Sequence, residues 1–339
     1  MHKNVGFRHF GFALWIVTSL FAFLAQAGDR GEAGCTQADV RDFQSAQVRE
    51  FYSTPRHQGD SNWCYAFATS DLLADRLGEP VSAYSVALNY NDHLTLIDRA
   101  WRGVEDWFEG ENSVLDNGGV AQEALRLTLD SGSTCSEARL PSNLFAKNSF
   151  QKFISNISSH YESEDVDATV KLLKTLVPQT RESIVIDQVK ASLAAQEDLL
   201  HLLLRLEKRS CAPAVVMSKG LDSSQVAFST DSPMRLVETS LAATNRPRPI
   251  AILFASSSVY KENSESPLAD FFGDHVSVVI GRRWSRTHQS CEYLVRDSFG
   301  TDCTQYREHV QCLGNGQYWI QDRDLRKMLI SATAFQTGQ

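Results

Sequence analysis

A cysteine at the start of a predicted helix is the residue in this sequence best suited to nucleophilic chemistry. The stretch QGDSNWCYAFA (residues 58–68) places Cys64 directly before a helical pattern that ends at Gly78. A thiol in the first turn of a helix faces the positive end of the helix dipole, which favours the nucleophilic thiolate. Gln58 lies six residues upstream and offers an amide N–H that can bind an oxyanion at the same point. A lone cysteine is more commonly a buried hydrophobe or half of a disulfide, so its neighbours must support this interpretation.

The residues around Cys64 resemble the active-site motif of the papain-like cysteine peptidases. That motif has a glutamine, a glycine and a short turn, and then a cysteine followed by an aromatic residue, alanine and phenylalanine. The matching residues here are Gln58, Gly59, Cys64, Tyr65, Ala66 and Phe67. The chain departs from the usual pattern at Ser61 and Asn62, where the family has a cysteine and a glycine. The resemblance implies that Cys64 is the nucleophile and that Gln58 binds the oxyanion.

A second motif of that family lies at residues 116–119, which read Asp-Asn-Gly-Gly. In papain-like enzymes the corresponding Asn-Gly-Gly lines the cleft, which implies that Gly118 and Gly119 contact the substrate backbone. The residue before it is usually a cysteine, bonded to the cysteine upstream of the nucleophile. Here these two positions are Asp116 and Ser61, so both halves of that disulfide are absent together. Taken alone, the two glycines are also compatible with a plain turn.

Two predicted strands far along the chain carry the other groups that the resemblance requires. His275 begins the apolar run HVSVVIG, and the run EYLVR leads to Asp297 and Phe299. In the family an asparagine orients the catalytic histidine and a tryptophan shields their hydrogen bond, and Asp297 and Phe299 occupy these positions. An aspartate can also hold the imidazole tautomer, and its charge should raise the pKa of His275. Asp274 is expected to border the cleft with Phe299, whereas His57, a competing base, is predicted to be a surface residue.

These residues imply a thiol endopeptidase that acts on a peptide or protein substrate. Cys64 would attack a peptide carbonyl, and its own backbone N–H and the Gln58 amide would hold the oxyanion. His275 would then protonate the leaving amine and later activate water. A transamidase or transpeptidase uses the same thiol chemistry with an amine as acceptor. A non-catalytic binding protein on the same fold is the other alternative. Four groups that such a protein would not need argue against it: Gln58, Cys64, His275 and Asp297.

The composition and the first residues limit the class of protein and its location. The chain has 339 residues and a formal charge of −8, which argues against a nucleic-acid-binding protein with a basic face. Residues 1–27 have a basic start, an apolar core and a final Ala-Gln-Ala, which predict a cleaved secretory signal peptide. A retained membrane anchor is the alternative, and a lipid anchor at Cys35 fits less well. We therefore expect a soluble, secreted or periplasmic monomer with no membrane contact after signal removal.

The cysteines support an oxidising compartment. Of the 7 cysteines, six can form disulfides while Cys64 stays free. Cys303 and Cys312 are close enough in sequence to form a local pair, and the other pairings stay open. No CxxC motif occurs, so we expect no metal, and nothing indicates a cofactor. Only about 37 residues separate the predicted cleavage site from Cys64, which is too few for a long inhibitory pro-segment, so a protein inhibitor is a candidate partner.

The resemblance covers roughly residues 45–145 and 245–325 and implies a papain-like α+β fold with two lobes. A helical left lobe would carry Cys64, and an antiparallel, β-barrel-like right lobe would carry His275 and Asp297. The expected divisions are a signal peptide (1–27), an N-terminal segment with the helical lobe (28–145), a helical insertion (146–215) and a β-rich lobe (216–339).

The local patterns predict individual elements as well. Helices are expected after Cys64, after Ser82 and after Gly119, and short strands are expected at 212–218, 248–258, 275–284, 292–300 and 316–321. Within the insertion, apolar residues at helical spacing predict two amphipathic helices, over 164–178 and 187–209. These helices form either a hairpin packed beside the cleft or a lid that controls access to Cys64.

Overall fold

The computed structural model describes residues 34–93, 118–143, 149–217, 221–243, 245–261 and 274–336. The predicted signal peptide, Asp116 and Asn117 lie outside these ranges. Within them, ten α-helices accompany one large sheet and one two-stranded sheet. The expected α+β class is therefore confirmed, whereas the two-lobed, barrel-like arrangement stays a prediction.

Most helices precede the large sheet in the chain. Their bounds are α1 Ala46–Ser53, α2 Cys64–Leu77, α3 Ala83–His93, α4 Ala121–Asp130, α5 Phe150–Glu162, α6 Val166–Leu176, α7 Glu182–Ala194, α8 Leu199–Ser210, α9 Pro233–Leu241 and α10 Asp322–Met328. The strands are β1 Ala38–Asp39, β2 Ser133–Thr134, β3 Val215–Val216, β4 Val226–Ser229, β5 Ile250–Ala255, β6 Asp274–Ser285, β7 Ser290–Arg296, β8 Gln311–Cys312, β9 Gln317–Gln321 and β10 Leu329–Phe335.

Helix α2 is buried between the other helices and the sheet. Every residue from Tyr65 to Asp75 is buried, because α2 packs against α3, α4 and β6. The helix ends at Gly78, which adopts a left-handed φ of 72° that a residue without a Cβ tolerates. Helix α3 begins after Ser82, whose hydroxyl accepts a hydrogen bond from the Ser85 N–H at 3.3 Å. The helices predicted after Cys64 and after Ser82 are both confirmed.

The large sheet is built around its longest strand, β6. The strand order is β4-β10-β5-β6-β7-β9-β8, and β1 also pairs with β6. All of these described pairings are antiparallel. Four predicted strands correspond to β5, β6, β7 and β9 of this sheet, whereas β4, β8 and β10 were not predicted. The run predicted at 212–218 contains β3, which pairs with β2 in the small sheet. Because β6 and β7 are neighbours, the residues at the start of β6 and the end of β7 lie close together.

The helical segment 146–215 differs from its prediction. It contains four helices, α5 to α8, and the single helix predicted over 187–209 is divided into α7 and α8. The chain turns between them because Gln196 adopts a positive φ of 51°. Asp198 then caps α8 by accepting a hydrogen bond from the His201 N–H at 2.9 Å. The apolar face of α8 is buried, and the helix packs against α3 and α7.

Three disulfides connect distant parts of the chain and leave one free thiol. They join Cys35 to Cys291, Cys135 to Cys211 and Cys303 to Cys312. The predicted local pair is therefore confirmed. All seven cysteines lie within the described ranges, and Cys64 alone is unbonded. The Cys135–Cys211 bond ties the end of α8 to the strand β2 region.

Two features are not found in the described part of the chain. None of its helices has both the length and the apolar character that a bilayer crossing requires. The same ranges contain no cluster of three or more His, Cys, Asp or Glu side chains that could hold a metal ion.

Candidate active site

Cys64 is the first residue of α2, as its sequence context predicts. Its backbone follows Trp63 at the helix N-cap, and the side chain is half-buried. The helix places the thiol at its positive end, where a negative charge on sulfur is stabilised. Cys64 is thus a free thiol in a position that favours nucleophilic chemistry.

His275 and Asp297 meet the thiol from the sheet. His275 is the second residue of β6, and Asp297 follows directly after β7. The Nε2 of His275 lies 2.9 Å from Oδ1 of Asp297. The Cys64 side chain lies close enough to this ring to help raise the pKa of His275. The structure therefore places the three predicted residues near one another, with a direct hydrogen bond between His275 and Asp297.

Asp297 is completely enclosed and accepts hydrogen bonds at both oxygens. Its side chain has 0% exposure. Oδ1 accepts from His275 and also from the Ser298 N–H at 2.7 Å and, more weakly, from the Ser277 hydroxyl at 3.3 Å. Oδ2 accepts from the hydroxyls of Tyr260 at 2.7 Å and Tyr306 at 2.6 Å. These donors hold the carboxylate in one orientation toward the imidazole.

The two members of this pair shift each other toward the charged state. Burial opposes the charge on His275, but hydrogen bonds with Asp297 and Cys64 outweigh burial and raise the pKa of His275 to about 9. Burial likewise favours the neutral form of Asp297, yet the hydrogen bonds from His275, Tyr306 and Tyr260 hold its pKa below the ordinary value. At neutral pH the pair is therefore an imidazolium beside a carboxylate.

Phe299 covers the imidazole ring. The two ring centroids are 4.3 Å apart and the planes are inclined by 19°, which is a stacked geometry. The edge of Tyr260 meets both rings, at 5.7 Å from His275 and 5.2 Å from Phe299. This aromatic cover keeps water from the His275–Asp297 hydrogen bond, because Phe299 covers one face of the imidazole and the Asp297 side chain has no exposure.

Gln58 lies in the turn before Cys64 and is 2% exposed. Its Oε1 accepts a hydrogen bond from the Ser298 hydroxyl at 2.6 Å, and its backbone N–H donates to the Ser298 carbonyl at 2.8 Å. The side-chain amide donates one hydrogen to the Ser61 carbonyl. The side chain is thus fixed between the turn and the residue after Asp297, and its amide retains a second N–H.

The other predicted contact residues have mixed positions. Gly119 lies against the ring of Tyr65, where an added Cβ would come within 2.8 Å of a ring carbon, so packing alone requires glycine there. Gly118 is exposed, and a Cβ on it would meet no atom within 4 Å. Asp274 is exposed at the start of β6.

His57 is not the surface residue that its sequence position predicts. Its ring is half-buried against Gly300, and its Nδ1 accepts a hydrogen bond from the Gly59 N–H at 3.0 Å. Its backbone pairs with Phe299. Burial lowers the pKa of His57, and the charge of Asp297 only partly offsets this. The prediction was wrong because the chain before the turn runs beside the segment that follows β7.

A buried ion network that the sequence does not reveal joins the two halves of the site. Arg296, the last residue of β7, forms an ion pair with Asp71 in α2 at 2.5 Å. Arg56 contacts the same carboxylate at 2.8 Å. The Arg296 guanidinium also donates to the carbonyls of Phe51 and Thr54, at 2.6 and 3.1 Å. Because Arg296 directly precedes Asp297, this network sets the position of the strand end relative to the helix that carries Cys64.

The sequence also did not indicate Tyr260 and Tyr306 as residues of the site. They lie 37 and 9 residues from Asp297 in sequence, and neither belongs to a recognisable motif. The one available signal is that Tyr306 falls between Cys303 and Cys312, whose disulfide holds this segment. The backbones of Tyr260 and Tyr306 form an isolated antiparallel bridge. Both hydroxyls consequently reach the same carboxylate oxygen.

Comparisons with known proteins found a distantly similar solved structure and no related family. No family model and no curated protein matches the chain. Among solved structures, the chain is similar to a crystal structure of SERA5E from Plasmodium falciparum, with 12% sequence identity and a TM-score of 0.44. That match covers 90% of this chain and 97% of the other. A likeness at this TM-score carries no argument about activity, which depends on the geometry of the site itself.

Proposed function

We propose that this protein is an exported, papain-like cysteine endopeptidase with a Cys64–His275–Asp297 triad. One observation carries the proposal: the free thiol at the N-terminus of α2 lies near an imidazole, close enough to raise its pKa, and a buried carboxylate holds that imidazole at 2.9 Å. This arrangement of nucleophile, base and orienting group is the general signature of nucleophilic catalysis.

The proposed reaction begins with attack of the Cys64 sulfur on a peptide carbonyl. The imidazolium of His275 stabilises the thiolate before attack and protonates the leaving amine afterwards. Neutral His275 then takes a proton from water, which hydrolyses the acyl-enzyme. Asp297 stabilises the imidazolium and keeps Nε2 engaged, so that Nδ1 faces the sulfur. Phe299 excludes water from the hydrogen bond between His275 and Asp297, which strengthens the electrostatic interaction between these two groups.

The proposed oxyanion hole consists of the Cys64 backbone N–H and the second amide N–H of Gln58. The support for Gln58 is its fixed position: the Ser298 hydroxyl and the Ser61 carbonyl hold its two ends. A donor that is already oriented needs no reorganisation when charge develops on the oxygen. Gly118, Gly119, Asp274 and Phe299 are proposed to border the cleft that receives the substrate.

Export is proposed from two independent features. Residues 1–27 have the pattern of a secretory signal. The three disulfides fit an oxidising compartment. We expect a monomer that binds peptide or protein substrates, with a protein inhibitor as a candidate partner.

Paired variants test the activity. The wild-type protein, expressed without residues 1–27, is expected to hydrolyse fluorogenic peptides and to react with an epoxide thiol reagent. Cys64→Ala should lose both properties, and His275→Ala should lose hydrolysis by at least about 100-fold. His93→Ala is the matched control, because the His93 ring is exposed and forms a hydrogen bond with the Asn89 carbonyl of its own helix at 2.8 Å. Hydrolysis that persists in Cys64→Ala would exclude the peptidase assignment.

The acceptor is tested in the same assay. A peptidase releases free acid, whereas a transamidase or transpeptidase couples the acyl group to an added primary amine. Mass spectrometry of the products separates the two. A predominant amine adduct at low amine concentration would replace hydrolysis by acyl transfer as the proposed function, with the same three residues in the same roles.

A further inference from the structure

The turn between Gln58 and Cys64 is held from outside by the first helix of the segment 146–215. Asp60, in the middle of this turn, accepts hydrogen bonds at Oδ1 from the backbone N–H groups of Phe150 and Gln151, at 2.6 and 3.2 Å. Its other oxygen accepts from the Ser149 hydroxyl. All three donors belong to the N-terminus of α5. A carboxylate from the turn therefore caps a helix that is about ninety residues away in sequence.

This cap is favourable for two reasons. Helix α5 has 13 residues, and its first N–H groups have no partners within the helix. A negative side chain at that end also interacts favourably with the helix dipole. Ser149 contributes the usual N-cap contact, since its Oγ accepts from the Lys152 N–H at 3.1 Å. Asp60 supplies the charge and occupies two further N–H groups.

An aromatic contact fixes the other end of the turn to the same helix. The rings of Trp63 and Phe150 have centroids 4.4 Å apart, and Tyr84 of α3 meets Trp63 edge-on at 5.4 Å. Trp63 is 3% exposed and Phe150 is 1% exposed. Trp63 directly precedes Cys64. Helix α5 thus contacts the turn on both sides of the short segment that separates the Gln58 amide from the nucleophile.

Within the turn, two short local contacts join Gln58 and Ser61. The Ser61 hydroxyl donates to the Gln58 carbonyl at 2.8 Å, and the Gln58 amide donates to the Ser61 carbonyl. Gly59 adopts a positive φ of 70°, which a residue without a Cβ tolerates. The Ser298 contacts hold the Gln58 end of the turn, and the contacts with α5 hold Asp60 and Trp63 between Gln58 and Cys64.

We propose that α5 is a positioning element for the reaction and that Asp60 is the positioning residue that couples it to the nucleophile turn. This inference rests on the proposed function. It also decides between the two roles expected for the insertion, as far as α5 is concerned. A lid has to leave the site, but removing α5 would break three hydrogen bonds to Asp60 and expose Trp63. Helix α5 therefore stays docked and sets the distance between the oxyanion donor and the sulfur.

The test compares two aspartates that cap helices of the same segment. Asp60→Ala removes the cap of α5, and Asp165→Ala removes the cap of α6, where Asp165 accepts from the Ala168 N–H at 3.1 Å. Both variants remove a carboxylate that accepts from backbone N–H groups at a helix N-terminus, two N–H groups at Asp60 and one at Asp165. Asp60→Ala should lower kcat about 10- to 100-fold with KM changed less than threefold, because misplaced groups slow the chemical step. Asp165→Ala should leave both constants within twofold of the wild type.

The conservative variant Asp60→Asn should recover part of the lost kcat, because its amide oxygen can still accept from the Phe150 N–H. It also covers the case in which Asp60→Ala does not fold. Equal kcat values for Asp60→Asn, Asp165→Ala and the wild type would overturn the proposal. An effect confined to KM would do the same, since it would indicate substrate contact rather than positioning.

Two measurements without substrate separate this proposal from the proposed function. They are the rate at which iodoacetamide alkylates Cys64 and the hydrogen exchange of the backbone amides of residues 59–64. Asp60→Asn is expected to change the alkylation rate at least threefold and to speed exchange in the turn, with Asp165→Ala unchanged. If the wild type hydrolyses no peptide while these changes occur, the peptidase assignment fails and the coupling of α5 to the turn stands. Unchanged alkylation and exchange would overturn the coupling, whatever the activity.

Discussion

Two buried carboxylates in different regions of the molecule have opposite pKa shifts. Asp297, at the end of β7, has its pKa lowered. Glu207 lies in α8, where that helix packs on α3, and burial raises its pKa to about 7. Both are hydrogen-bonded to hydroxyl groups: Asp297 to Tyr260 and Tyr306, and Glu207 to the Ser85 hydroxyl. Hydroxyl donors alone therefore do not decide which carboxylate stays ionised.

The two carboxylates differ in whether a cation is directly bonded to them. His275 lies 2.9 Å from Asp297, whereas Glu207 forms no ion pair with any residue that the structure describes. The adjacent Lys208 lowers its pKa only partly, and the charge of Asp92 opposes that effect. A buried carboxylate with a directly bonded cation is held charged, and one without it favours the neutral acid. The surroundings of Asp297 stabilise its ionised form, whereas the contact between α8 and α3 favours the protonated form of Glu207.

The largest expected effect comes from removing the carboxylate from the ion pair. Asp297→Ala would leave the His275 charge and two tyrosine hydroxyls buried without a partner, which should lower the free energy of unfolding by about 3–5 kcal/mol. Urea denaturation at neutral pH measures this. Asp297→Asn is the control: the tyrosine hydroxyls can rotate to accept from its amide, so its loss should be clearly smaller. If both variants lost the same free energy of unfolding, the hydrogen bonds that a side chain at position 297 forms with its neighbours would not contribute to stability.

Glu207→Gln should raise the free energy of unfolding at alkaline pH, in contrast to Asp297→Ala. The folded-state pKa of Glu207 is raised from 4.5 to about 7, so its contribution to stability is complete below about pH 4.5 and is lost as the pH rises through 7. The glutamine variant lacks this loss and should be more stable than the wild type by roughly 3 kcal/mol at pH 8, with little difference at pH 4. Denaturation curves at the two pH values test it. A variant that is less stable than the wild type at pH 8 would mean that the charge at Glu207 is compensated after all.

Tyr306→Phe removes one hydroxyl from a charged acceptor. A hydrogen bond to an ionised group contributes about 2 kcal/mol, and one to a neutral group about 1 kcal/mol. The matched control is Tyr161→Phe, because the Tyr161 hydroxyl donates to the neutral Glu197 carbonyl at 2.7 Å. The Tyr306 variant should therefore lose more stability than the Tyr161 variant. A reversed order would indicate that Asp297 is not charged.

The charge of Asp297 also sets a pH limit for the thiol–imidazole pair. With the pKa of His275 raised to about 9, hydrolysis should decline above that pH, because a neutral imidazole cannot protonate the leaving amine. Asp297→Asn removes the charge that stabilises the imidazolium, so the alkaline limb should move to lower pH by at least about one unit. Rate profiles between roughly pH 6 and 10 show the shift. An unmoved limb would mean that Cys64 alone supports the His275 charge.

The smallest effect is expected where a cation is present but burial is not. Glu123 pairs with Arg126 on the surface of α4, at 2.5 Å, with side-chain exposures of 42% and 45%. Glu123→Gln should change the free energy of unfolding by less than about 0.5 kcal/mol, because solvent screens the pair. A loss comparable to that of Asp297→Ala would show that burial is not what separates the two carboxylates.

The sequence predicted the elements that depend on local patterns. The helix after Cys64 has a long apolar face and a terminating glycine, and β5, β6, β7 and β9 are apolar runs bounded by polar segments. The division between α7 and α8 was missed because apolar periodicity continues across it, and only the conformation of Gln196 and the Asp198 cap interrupts the helix. Strand β4 was missed because two of its four residues are small and its burial is incomplete.

The sequence alone determined the chemical types present: one thiol at a helix start, a histidine at a strand start, and an aspartate at the end of the next strand. These follow from local spacing, because helix and strand boundaries depend on near neighbours. Only the tertiary structure decided which groups surround them. Tyr260, Asp71 and Asp60 act across long stretches of chain, and hydrogen bonds of a few ångströms form only after the sheet and helices have packed. A buried charge depends on every neighbour in three dimensions, and no short sequence pattern contains that information.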